Sequence, residues 1–148
     1  MNPEDLERMA DGIVRLRAEI LRRREDEQDT ADLTSPQALA LRAVALQGPL
    51  RMGALAEELG VTVATASRTV DALEERGLAS REPDPDDARA VRVALTAAGK
   101  RERERRRKRF VEALERLMQE LSDDERRQLV ASLETLSRLL ATRPPSGG

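Results

Sequence analysis

The 148-residue sequence has no cysteine, histidine, tryptophan or tyrosine, and Phe110 is its only aromatic residue. Disulfides, thiol redox chemistry, Cys/His zinc sites and histidine acid–base catalysis are thereby excluded. The scarcity of aromatic residues, beside abundant Ala, Leu, Arg and Glu, argues against an all-β sandwich or barrel. No uncharged apolar run reaches the ~18 residues of a membrane span. The start, with Glu4, Asp5 and Glu7, lacks the basic and apolar regions of a signal peptide, so a soluble, cytoplasmic protein is expected. Nor is one charge sign in surplus, because 26 Lys and Arg stand against 28 Asp and Glu. Total charge therefore does not point to nucleic acid, and its distribution matters more.

Residues 1–33 carry −4, residues 50–99 carry −3, and the run KRERERRRKR at 100–109 carries +6. Within that run, Glu102 and Arg106, and Glu104 and Lys108, have the favourable i,i+4 spacing of a solvated helical face. A basic nucleic-acid arm, or a surface facing the acidic first segment within or across subunits, are the other uses such a run can have.

Leu6, Met9, Ile13, Leu16 and Ile20 recur at steps of three and four, which predicts a first helix that fades into the polar link RRREDEQDTAD. Thr34 and Gln37 have capping-box spacing, and Pro36 fits a first helical turn, so a second helix opens there and stops at Gly48-Pro49. Next come two short helical patterns joined at Gly60-Val61-Thr62. Gly60 suits a helix C-terminal cap and Thr62 an N-cap. Leu55, Ala56 and Leu59 face inward on the first of these, and Ala66, Val70 and Leu73 on the second. Strands are expected at 78–82 and 90–95, separated by the loop PDPDDAR, which is too long and stiff for a tight hairpin turn. A long helix runs from Thr96 to about Leu121, its apolar stripe beginning only at Phe110. Ser122 and Glu125 cap a last helix, and residues 143–148 form a frayed tail.

The paired short helices have the form of a helix-turn-helix, whose second member enters the DNA major groove with its N-terminus and outer face. At 100° per residue the face opposite Ala66 and Val70 carries Ala64, Arg68 and Asp71, with Ser67 at its edge and Thr62 and Val63 leading in. Arg68 can pair with guanine or phosphate, Ser67 and Thr62 with bases or phosphates, and Val63 or Ala64 can touch a thymine methyl. An ordinary helical hairpin is the alternative, but helix, helix-turn-helix and ribbon in this order describe a winged helix. Arg81, at the ribbon's start, suits a phosphate contact or a solvated strand position equally.

From LTSPQ, through LAEELGVTVATASRTVDALEERGLASR, to DPDDARAVRVALTAAG and two closing helices, the sequence resembles the multiple-antibiotic-resistance regulator (MarR) family of bacterial transcription factors. Asp87-x-Arg89 followed by Leu95-Thr96-x-x-Gly99 looks like that family's wing signature. The resemblance implies a homodimer with two winged helices, an arginine at each wing tip reaching a minor groove, and repression relieved by a small ligand. Arg89 matches the wing arginine and Asp87 its acidic orienting partner. Residues two apart on an extended strand point to one side, as that pairing needs. A surface ion pair is the alternative use of the two.

The expected fold is mainly α: a winged helix-turn-helix (34–99) with a two- or three-stranded ribbon, an N-terminal dimerisation helix and link (1–33), C-terminal dimerisation helices (100–142) and a tail. Surplus apolar stripes on the first and last helices need a partner. A second copy supplies one, and a monomeric four-helix packing is the competing solution. The expected partner is double-stranded DNA bearing a pseudo-palindromic operator, with no cofactor. Six Arg against nine acidic side chains in 50–99 imply weak, salt-sensitive non-specific affinity. The implied effector, between the dimer helices and the DNA-binding lobe, is an apolar or anionic small molecule. Catalysis would need two carboxylates, a Ser-Lys pair or a metal held by carboxylates, and Asp84, Asp86 and Asp87 lack the glycine and spacing of a calcium loop. A winged helix used only for protein contacts is the other alternative.

Overall fold

A computed structural model of the chain describes residues 2–26 and 33–141. Helices α1 (Pro3–Asp26) and α2 (Ser35–Gln47) are followed by strand β1 (Leu50–Arg51), helices α3 (Met52–Leu59) and α4 (Val63–Glu75), strands β2 (Ala79–Pro83) and β3 (Val91–Leu95), and helices α5 (Ala97–Met118) and α6 (Asp123–Ala141). The predicted six helices and two strands occur in the expected order, and β1, which no sequence signal marked, is added between α2 and α3. The boundaries moved where periodicity is a poor guide. The first helix continues to Asp26 although its apolar stripe has ended, because Arg and Glu are good helix formers and nothing breaks the run. The remainder of the expected link and the tail at 143–148 lie outside the described residues.

β1 pairs with β3, and β3 with β2, giving an antiparallel sheet in the order β1-β3-β2. At two residues, β1 is too short to show any alternation in sequence. Leu78, expected in the strand, belongs to the helix exit instead: its N–H donates to Leu73 O at 2.9 Å, which closes the end of α4. Leu41, Leu55, Val70, Leu73 and Val93 are the largest fully buried side chains. The core thus lies where α2, α3, α4 and the sheet meet, and burial of such side chains contributes roughly 1.5–3 kcal/mol each.

Local signals explain the joints. Gly60 ends α3 at φ +66°, a left-handed conformation that suits glycine, and Thr62 Oγ1 then accepts the Thr65 N–H at 3.2 Å to start α4. At the head of α5, Thr96 Oγ1 accepts the Gly99 N–H at 3.0 Å and donates to Gly77 O at 2.6 Å, while the Thr96 N–H donates to Leu78 O at 3.1 Å. Gly99 is buried against that corner so closely that a Cβ there would lie 1.9 Å from Leu78 O. The Leu-Thr-x-x-Gly sequence is therefore the seam joining the exit of α4 to the start of α5.

Ser122 and Glu125 form the predicted cap of α6. Glu125 Oε2 accepts from Ser122 N at 2.8 Å and Oγ at 2.7 Å, and these bonds lower the Glu125 pKa. Outside the winged unit the apolar stripes stay uncovered, with Leu6, Met9 and Ile13 on α1, Phe110, Leu114 and Leu117 on α5, and Leu133 and Leu136 on α6 all exposed.

Candidate nucleic-acid interface

The outer surface of α4 presents Val63, Ala64 and Arg68, all exposed, as the helical projection predicts. Thr62 is exposed as well, but its hydroxyl is engaged in capping. It accepts from Thr65 N and lies 3.0 Å from Thr65 Oγ1, which in turn accepts from Arg68 Nη2 at 3.4 Å. Thr62, Thr65 and Arg68, at i, i+3 and i+6, thus form one hydroxyl-and-guanidinium row. Thr65, absent from the sequence-derived set, is half-buried.

Arg81 is neither a solvated strand residue nor an outward-facing cation. Its guanidinium donates to Ser67 Oγ at 3.0 Å and Ser67 O at 3.3 Å, pairs with Asp71 at 2.8 Å, and bonds Glu74 Oε2. Its backbone N–H donates to the other Glu74 oxygen at 3.0 Å. Ser67, Asp71 and Glu74 are spaced by four and three, one stripe of α4, so Arg81 bolts the sheet to that helix. The same contacts take up Ser67 and neutralise Asp71. The stripe is visible in sequence, but that β2 lies over it is not.

The wing loop is ordered by its own aspartates. Asp84 N–H donates to Ala90 O at 3.0 Å, and Ala90 N–H to Asp87 O at 2.9 Å. Asp84 Oδ1 accepts from Asp86 N at 2.8 Å, and Asp87 Oδ1 from Arg89 N at 3.0 Å. Asp87 therefore orients Arg89 through its backbone within a turn, whereas the sequence suggested side chains pointing together from an extended strand. The Arg89 side chain is exposed at the tip. Below it Arg92 Nη2 donates to Glu82 at 2.9 Å, and Arg51 Nε donates to Asp84 Oδ2 at 2.6 Å. Neither Arg51 nor the burial of Asp84 was legible in sequence.

Among the described residues no three His, Cys, Asp or Glu side chains converge as a metal cage, and no helix is long and apolar enough to cross a membrane. The basic run lies on the first half of α5. β3 carries the chain from the wing loop back to Thr96, so the run begins at the end of the sheet opposite Arg89. Glu102 pairs with Arg105 at 2.9 Å and Arg106 at 3.8 Å, and Glu104 pairs with Arg107 at 3.8 Å rather than with Lys108. Lys100, Arg103 and Arg107 line an open groove of about 680 Å³ whose apolar wall includes Val44, Leu46, Pro49, Ala94 and Leu95.

Comparison with known proteins agrees with this geometry. A family model described as the MarR family matches residues 31–90. The chain is 29% identical over 114 residues to the uncharacterised HTH-type transcriptional regulator YxaD of Bacillus subtilis, covering 77% of this chain and 80% of that one. It is similar in fold to a MarR family protein from Bacillus stearothermophilus, with a TM-score of 0.87 at 23% identity over 96% of this chain and 99% of the other. Streptococcus pneumoniae FabT, solved in complex with DNA, aligns with a TM-score of 0.73 at 21% identity, covering 92% of this chain and 97% of FabT. A winged helix with this wing, framed by long helices before and after it, and the family match across its helix-turn-helix lead to one conclusion: this part of the chain is similar to the MarR family, and the whole shares the fold of solved MarR proteins.

Proposed function

We propose that the protein is a sequence-specific DNA-binding transcriptional regulator that works as a homodimer on a pseudo-palindromic operator. One observation carries this reading. Within the winged unit Arg51, Arg81 and Arg92 are held by carboxylates, whereas among the described residues Arg68 and Arg89 have no carboxylate partner and are exposed, one on α4 and one at the wing tip. Arg68, with Val63, Ala64 and the Thr62 end of α4, enters the major groove. Arg89 enters the adjacent minor groove, whose narrow, electronegative form attracts arginine. Asp87 sets the turn that aims Arg89, and Arg81 with Ser67 sets the angle of α4 instead of meeting phosphate.

Residues 1–33 and 100–142 are the dimerisation segments in this reading, supported by apolar side chains on α1, α5 and α6 that are exposed among the described residues. Two recognition helices would then sit about 34 Å apart, one helical turn of DNA. The groove beside α2 and α5, lined by apolar side chains together with Lys100, Arg103 and Arg107 and the acids Glu82 and Glu104, is where an apolar or anionic small-molecule effector would act on a repressor. The protein is non-catalytic and cytoplasmic in this account.

The test replaces Arg68 and Arg89 by Ala separately and measures binding, at fixed salt, to duplexes recovered by wild-type protein from a random library. Weaker specific binding by each variant, with folding intact, is expected. Unchanged affinity for both would favour a winged helix that contacts only proteins.

A further inference from the structure

We propose that Arg51 is a positioning residue for the wing: by clamping Asp84 to β1 it holds the 84–90 loop in the conformation that presents Arg89, and it masks negative charge that the loop would bring to DNA. The proposal rests on the DNA-binding reading above and goes beyond it, since Arg51 lies on neither α4 nor the wing.

Asp84 is only 6% exposed, although every residue from Pro85 to Arg89 is exposed. Its two oxygens face different ways. Oδ2 takes the Arg51 Nε–H at 2.6 Å, and Oδ1 takes the Asp86 N–H at 2.8 Å. The carboxylate thus ties the edge strand to the first turn of the loop. From there the bonds Asp84 N to Ala90 O, Ala90 N to Asp87 O and Arg89 N to Asp87 Oδ1 pass the constraint on to Arg89. Without Arg51, a buried carboxylate would lose its cation, a state that proteins avoid by rearranging locally.

Charge points the same way. The loop carries Asp84, Asp86 and Asp87 against Arg89, with Glu82 one step below. Left uncompensated, these acids would be repelled by phosphate. Arg92 holds Glu82, and Arg51 stands against the three aspartates, which raise its pKa while it and the Asp86 N–H lower that of Asp84. Arg51 and Arg92 are also direct cross-strand partners, a like-charge pairing that costs stability unless acids flank it. Asp84 beside one and Glu82 beside the other supply those acids.

Arg51 is 51% exposed on its side chain, so it must be distinguished from a simple phosphate contact. Full-length wild type, R51A, R51K, D84N, R89A and R51A/R89A are compared on the same selected duplex. A clamp predicts that R51A and D84N each weaken binding roughly ten-fold, the scale of one lost charge-assisted contact. It also predicts that R51K restores part of the loss, and that the loss in R51A/R89A is clearly smaller than the sum of the two single losses. A phosphate contact predicts the reverse: D84N would free Arg51 and leave binding equal or tighter, and the R51A and R89A losses would add. That result overturns the proposal.

Amide hydrogen exchange gives a readout independent of DNA. In R51A and D84N the Asp86 and Arg89 amides should exchange faster while those of Val70 and Leu73 in α4 hold. Unchanged exchange at Asp86 and Arg89 would overturn the clamp. A wild type that selects no duplex would overturn the DNA-binding reading instead.

Discussion

Arg81 Nη2 lies 2.8 Å from Asp71 Oδ1, joining the second strand to the outer side of α4. In the proposed function Asp71 is an acid on the surface that approaches phosphate. The pairing cancels its charge, and the bonds to Ser67 and Glu74 fix the helix against the sheet.

Replacement of Arg81 by Ala should therefore act through the fold. We expect a loss of about 1.5–3 kcal/mol in urea unfolding, the range for hydrogen bonds to charged groups. DNA affinity should fall because Asp71 is unmasked and α4 loosened. The slope of log affinity against log salt should stay within about half a unit of wild type, whereas loss of a phosphate contact would reduce it by about one. A reduced slope with unchanged stability would contradict the bracing role.

Gly99→Ala should be severe, because the added methyl would lie 1.9 Å from the Leu78 carbonyl oxygen, a backbone atom that cannot swing aside. We expect destabilisation at or above the upper end of the ~1–3 kcal/mol typical of overpacking. Thr96→Ala, which removes the cap and the bond to Gly77 O, should cost about 1 kcal/mol. Thermal unfolding of the two variants checks the order.

Leu133→Asp on α6 should separate protomers while leaving the winged unit folded, since Leu133 is half exposed and outside the core cluster. Analytical ultracentrifugation should register a dimer for wild type and a monomer for the variant, with specific DNA binding lost as the two half-sites uncouple. A wild type that sediments as a monomer would contradict the dimeric reading.

Asp84 and Glu125 both have folded-state pKa values below their ordinary 3.8 and 4.5, the first because of Arg51 and the second because of Ser122. A depressed carboxylate contributes stability that is fully present above its unfolded pKa and is lost as pH falls through the folded one. Amide protection in the wing and at the start of α6 should therefore be flat from neutral pH down to about 5 and decline below about 4. D84N should remove the wing's part of that decline and leave the α6 cap's part intact, as exchange measured between pH 7 and 3 would reveal.

Much of the architecture was legible because its signals are local. Leu55 with Ala56, and Ala66 with Val70 and Leu73, declare helical faces by spacing alone, and all five are buried. Gly60 and Thr62 mark the joint between those helices. The electrostatic frame was not legible, because it depends on which strands fold over which helix. Arg81 looks like any strand arginine until β2 is laid against Ser67, Asp71 and Glu74. Asp84 is one of three closely spaced aspartates, and only a two-residue strand bearing Arg51 singles it out. The boundary errors have a related origin: Leu78 alternates like a strand residue, but its N–H is claimed by the helix behind it.

The seam at Gly99 has a mechanical consequence. With Thr96 bonded to the Gly77-Leu78 corner from two sides and no methyl keeping the backbones apart, α5 cannot swivel without dragging the exit of α4 along. In a two-fold assembly each long helix becomes a crank whose pivot is the subunit boundary. A tilt of a few degrees there would be converted into a change in span between the two DNA-reading ends, so a small molecule wedged beside α5 need not touch those ends to pull them out of register.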